Sequence, residues 1–87
     1  MKIFVLRERV DFHNDDPQDY TFLFANGETA ARELSRLYDE TEKSFIEDEE
    51  CEIVETGTFR DDTGRYFMTD SDDLYQVWIE ELRVNNE

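Results

Sequence analysis

The nineteen residues ETAARELSRLYDETEKSFI, positions 28–46, decide the fold. Ala30, Ala31, Leu34, Leu37, Tyr38 and Phe45 recur at steps of three, four and seven, which gathers them on one stripe of an α-helix. The opposite side is partly neutralised from within: Glu28, Arg32, Arg36 and Glu40 are spaced by four, and Asp39 stands one turn before Lys43. This helix nets only −2. An apolar stripe of that length needs a surface to cover, and the flanking sequence supplies strands.

On the N-terminal side, Lys2 to Phe12 alternates. Phe4, Leu6, Val10 and Phe12 fall on one face, while Ile3 and Val5 fall on the other before Arg7, Arg9 and Asp11 take over. His13 to Asp19, with the single proline Pro17, is a polar connection; Tyr20 to Ala25 is a second short strand, broken by Asn26-Gly27. On the C-terminal side, Cys51 to Phe59 reads as a strand with Cys51, Ile53 and Phe59 in one alternating set and Val54 in the other. Asp61-Asp62-Thr63-Gly64 is turn chemistry, and Arg65 to Thr69 is the returning arm of a hairpin. Leu74 to Val84 admits two descriptions. Leu74, Val77, Trp78 and Leu82 fit a helix capped by Ser71-Asp72-Asp73, but Trp78, Leu82 and Val84 also alternate with Val77 and Ile79, and these residue types weigh toward strand. The expected order is β-β-α-β-β-β: an α+β fold, an antiparallel β-sheet with one long helix packed on one face.

Composition bounds what such a domain does. Its 87 residues suffice for one domain, positions 1–87, with a modest core. The chain has 24 Asp plus Glu against 9 Lys plus Arg, a net charge of −15, which disfavours direct binding to nucleic acid or to an anionic membrane. High charge favours disorder, yet 14% of the residues are aromatic and lie in ordered patterns. Cys51 has no partner for an internal disulfide, and the apolar run Ile3 to Leu6 is too short for a signal peptide or a membrane span. A cytoplasmic, reducing setting is the expectation.

The negative charge is clustered. Residues 47–55 net −6 and residues 61–73 net −4, so two stretches flanking one strand carry ten of the fifteen excess charges. Like charges held close repel, and solubility alone is served by a net charge of about 2 to 8. The excess suits a surface that imitates nucleic acid, with carboxylates in the places of phosphates. Alternate strand residues lie about 6.6 Å apart and residues one helical turn apart about 6 Å, comparable to the phosphate step. Glu50 with Glu52 and Asp70 with Asp72 have such spacings if their segments are extended, as do Asp39 and Glu42 on the helix. Candidate partner-binding residues are Asp39 and Glu42 on the helix, then Glu47, Asp48, Glu49, Glu50, Glu52 and Glu55. Asp61, Asp62, Asp70, Asp72 and Asp73 complete the set.

Small size, an aromatic-rich α+β core and the runs Glu47-Asp48-Glu49-Glu50-Cys51-Glu52 and Asp70-Ser71-Asp72-Asp73 resemble small acidic proteins that bacteriophages and mobile elements encode against host defences. These include DNA-mimicking anti-restriction proteins and many anti-CRISPR proteins. The resemblance implies a stoichiometric inhibitor whose partner is a basic nucleic-acid-binding protein or complex, inside the host cell. The competing expectation is a protein-interaction module that uses aromatics such as Tyr20, Tyr66 or Tyr75, with charge serving association rate.

Catalytic patterns are not found. Asp62-Thr63-Gly64 matches the aspartic-protease triplet, but Phe59-Arg60-Asp61 before it makes a hairpin turn the better account. His13 near Asp11, Asp15 and Asp16 has metal-binding chemistry without specific spacing, and the aspartate runs lack calcium-loop spacing. Cys51 between Glu50 and Glu52 is a poor nucleophile, because neighbouring anions oppose thiolate formation. Trp78 is expected in the core. No catalytic residue, metal site or cofactor is assigned.

Overall fold

The computed structural model describes residues 1–12, 15–47 and 51–84. His13, Asp48, Glu49 and Glu50, singled out above, lie outside them. Among the described residues, five strands and one helix follow in the expected order: β1 (Lys2–Asp11), β2 (Gln18–Phe24), α1 (Gly27–Ile46), β3 (Ile53–Phe59), β4 (Gly64–Thr69) and β5 (Leu74–Arg83). All pairings are antiparallel, in the sheet order β2-β1-β5-β4-β3. The segment read as either helix or strand is a strand from Leu74 to Arg83, and it occupies the centre of the sheet.

Cross-strand partners share a face, so the register sorts the side chains. Leu6 lies opposite Ile79, Val10 opposite Tyr75, and Phe67 opposite Tyr75 from the other side. These residues meet Leu34 and Tyr38 of α1, and Leu6, Tyr38, Phe67, Tyr75 and Val77 are essentially inaccessible. Edge-to-face rings fill the layer: Tyr38 on Phe67 at 5.9 Å, Phe45 on Phe67 at 5.1 Å and Phe12 on Phe45 at 5.0 Å. Each such buried side chain contributes about 1.5–3 kcal/mol of transfer free energy, which offsets part of the charge repulsion. Tyr75, expected above as a contact residue, is 1% exposed and belongs to this core. Its hydroxyl donates to the Glu8 carboxylate, and burial raises its pKa.

Two expected alternations change in the structure. A bulge between Ile53 and Glu55 shifts β3 by one residue, so Ile53 packs toward the helix while Phe59, opposite Gly64, sits on the other face. Trp78 also lies on that other face, opposite Arg7 and Gly64, and is half-buried there. Both alternating sets of β5 are apolar, and the one containing Tyr75 and Val77 wins the helix. On α1, Arg36 pairs with Glu33 and with Glu40 at 2.9 Å, as its spacing allows. Asp39 turns away from Lys43 and meets Arg65 of β4 at 3.7 Å, while Lys43 approaches Glu47 at 3.9 Å.

Candidate functional site

The hairpin of β3 and β4 separates the acidic residues. Asp61 and Asp62 stand at its turn, whereas Glu52, Asp70 and Asp72 stand at its opposite end. Strands of six or seven residues put roughly 20 Å between the two groups. They therefore form two acidic ends of one hairpin.

At the turn, Arg60, Asp61 and Asp62 all have φ between 54° and 68°, the left-handed region that costs β-carbon residues energy. The Thr63 N–H donates to the Arg60 carbonyl at 3.0 Å, and the Thr63 hydroxyl donates to the same oxygen. Gly64 follows because a β-carbon there would stand 2.9 Å from the Phe59 ring and from the β-carbon of Trp78. The protease-like triplet is thus part of a tight left-handed turn. Asp62 and Thr63 also line a hollow of about 390 Å³ between the hairpin and the first half of α1, floored by Phe4, Leu34 and Ile79.

At the other end the Asp70 N–H donates to the Glu52 carbonyl at 2.9 Å, and the Glu52 N–H donates to the Asp70 carboxylate at 3.0 Å. This clasp holds two acidic residues side by side. Within the β4–β5 turn, the Thr69 hydroxyl donates to the Asp73 carboxylate at 3.1 Å and accepts the Asp73 and Ser71 N–H groups at 3.2 Å. Asp73 is 5% exposed, so it organises the turn and offers no surface to a partner. Asp72 projects from it with φ 64°. A second hollow of about 460 Å³ lies beside Glu42, Ile46, Cys51 and Glu52, joining this end to the last turns of the helix.

The carboxylates at the hairpin ends stay outside the ion pairs among the described residues, as do the exposed Asp15, Asp16 and Glu28 elsewhere on the chain. Among the described residues, Glu52, Glu55, Asp61, Asp62, Asp70 and Asp72 are exposed and make no ion pair. The cations engage other partners: Arg9 holds Asp19 at 3.2 Å, Arg7 and Arg60 converge on Glu80 at 2.9 and 3.7 Å, and Arg65 takes Asp39. Arg65 also stacks on the Tyr38 ring at 3.8 Å, which fixes it over the helix. Among the expected contact residues, Asp39 and Glu47 are therefore already paired, and Glu42 is half-buried near Tyr38. Among the described residues no group of three His, Cys, Asp or Glu is placed to hold a metal ion.

The sheet face away from α1 was hidden in the sequence. It carries Tyr66 over Gly57, Phe59 against Trp78 at 5.9 Å, and the Arg60 guanidinium 4.9 Å from the Trp78 ring. The signal for it is the alternation of Arg7 and Arg9 with apolar residues, repeated by Tyr66 and Trp78 once the registers are known. Compared with known protein families, curated proteins and solved structures, the chain matches none.

Proposed function

We propose that the protein is an acidic, non-enzymatic inhibitor that occupies the basic nucleic-acid-binding surface of a host nuclease or surveillance complex, in the manner of phage anti-restriction and anti-CRISPR proteins. One observation carries this reading. The carboxylates at both ends of the β3–β4 hairpin stay exposed and outside any ion pair among the described residues, although the fold pairs most of its arginines elsewhere. Charge retained at that electrostatic cost serves attraction to a cationic partner, whose association it accelerates. The two ends, roughly 20 Å apart, span about three phosphate steps of about 6–7 Å.

The test begins with capture of the partner from host lysate, followed by competition between the protein and DNA for that partner. The expected result is displacement of DNA, with affinity falling at least tenfold as NaCl rises from about 0.05 M to about 0.5 M. Joint Glu52→Lys, Asp70→Lys and Asp72→Lys reversal weakens binding at least tenfold. Retained affinity after that reversal, together with a flat salt series, overturns the proposal. The second reading, an interaction module using aromatics, is favoured by the exposure of Tyr20, 44%, and Phe22, 40%, at the sheet edge. It requires Tyr20→Ala to exceed the charge reversals in effect.

A further inference from the structure

The two edges of the sheet are built differently. β3 carries the usual protections against pairing with another chain: the bulge between Ile53 and Glu55, the charge of Glu55 within the strand and Glu52 just before it. β2 has no bulge and no unpaired charge within the strand, although Asp16 and Pro17 stand just before it. Its register against β1 runs without interruption from Phe4 opposite Phe24 to Val10 opposite Gln18. It contains no proline or lysine, and its one charge, Asp19, is already held by Arg9 at 3.2 Å. Its side chains are exposed on both faces, with Leu23 at 68% beside Tyr20 and Phe22.

We propose that two copies of this chain pair antiparallel through their β2 edges, about a two-fold axis at Thr21. Such an axis stands perpendicular to the sheet and sets residues of the same face opposite one another. Tyr20 then faces Phe22 of the second copy twice over, an aromatic cross-strand pair on the helix side. Asp19 faces Leu23, and Gln18 faces Phe24. The charge pattern is self-complementary: the acidic entry to β2, Asp15, Asp16 and Asp19, meets the uncharged exit Leu23 to Asn26 of the other copy. No like charges are opposed within the strand, and both open sheet faces join into one surface.

The net charge of −15 on each copy opposes association at long range. Salt therefore tightens this dimer, the opposite of its effect on a charge-driven complex with a basic partner. The proposal goes beyond the inhibitor reading, and Lys substitutions at Glu52, Asp70 and Asp72 separate the two: they weaken the partner complex but, by lowering net charge, do not weaken the dimer.

Sedimentation equilibrium of the full chain, from about 5 to about 200 µM protein, tests it. A reversible dimer is expected, its dissociation constant falling about tenfold between about 0.05 M and about 0.5 M NaCl. Leu23→Asp sets a second negative charge opposite Asp19 and loosens the dimer at least tenfold, whereas Leu23→Lys leaves it as tight or tighter. In a Cys51→Ser background, Thr21→Cys closes a disulfide across the axis under mild oxidation, because directly opposed residues lie within disulfide range. A monomer at every concentration and salt overturns the proposal, as does an equal effect of Leu23→Asp and Leu23→Lys. Circular dichroism of the variants confirms that each is folded.

Discussion

Glu80 gathers more partners than any other carboxylate on the open sheet face. It accepts the Trp78 indole N–H at 3.1 Å and the Arg7 guanidinium at 2.9 Å, with Arg60 at 3.7 Å. The Trp78 hydrogen bond, then that of Arg7, holds its pKa below the usual glutamate range. A depressed folded pKa stabilises the protein above the unfolded glutamate value, about 4.3, and the contribution is lost as pH falls through the lower folded value. Glu80→Gln is thus expected to cost about 1 kcal/mol at neutral pH, the size of a partly exposed charged hydrogen bond. Denaturant melts of both proteins from neutral to strongly acidic pH check this: the difference should close below the glutamate range. The residue scale is also where the sequence was least legible. Trp78 and Tyr75 each had an apolar alternating set around them, and only the pairing of β5 with β1 and β4 decides which set meets the helix.

Elements were far more legible, because α1 and the strands announce themselves by period. The helix starts at Gly27, one residue before the stretch read from Glu28, because Asn26 is its N-cap. The Asn26 carboxamide oxygen accepts the N–H groups of Glu28 at 2.8 Å and Thr29 at 3.2 Å, satisfying donors that have no partner within the helix. Asn26→Ala should therefore destabilise the fold by about 1 kcal/mol, while Asn26→Ser or Asn26→Asp restores most of it. Thermal melts of the three variants check the ranking. Other local features had no such signature. The bulge in β3 is a one-residue event that alternation cannot register when Ile53, Val54 and Phe59 are all apolar, and it reversed the face assigned to Phe59. The hairpin turn was recognisable from Asp61 to Gly64, yet its three left-handed residues begin at Arg60.

For the whole molecule, the charge count foretold acidity and its two stretches but not that the second would divide, with Asp61 and Asp62 at the hairpin turn and Asp70 and Asp72 beside Glu52 at the other end. Nor did it foretell that Asp73 would be buried or that Asp39 would be taken by Arg65, since both depend on contacts between elements. Repulsion among the unpaired carboxylates lowers stability, and the Debye length shrinks from about 10 Å at 0.1 M salt to about 3 Å at 1 M. The melting temperature should accordingly rise by roughly 5 °C over that range. Asp72→Asn, which keeps a residue tolerant of left-handed φ, should raise it at low salt and make no difference at high salt. Calorimetry across the series checks both statements. The sheet order has a kinetic consequence as well. The central strand β5 and its neighbour β1 are the most distant in sequence, and ten residue pairs run between them. Closing that contact requires a loop of roughly 60 residues, an entropic cost met before the central pairing rewards it. During synthesis the two hairpin-like halves can form early, but they share no sheet until β5 has left the ribosome. Completion of the core therefore waits for β5, and a product lacking this strand is expected to lose the core, which needs Tyr75 and Val77.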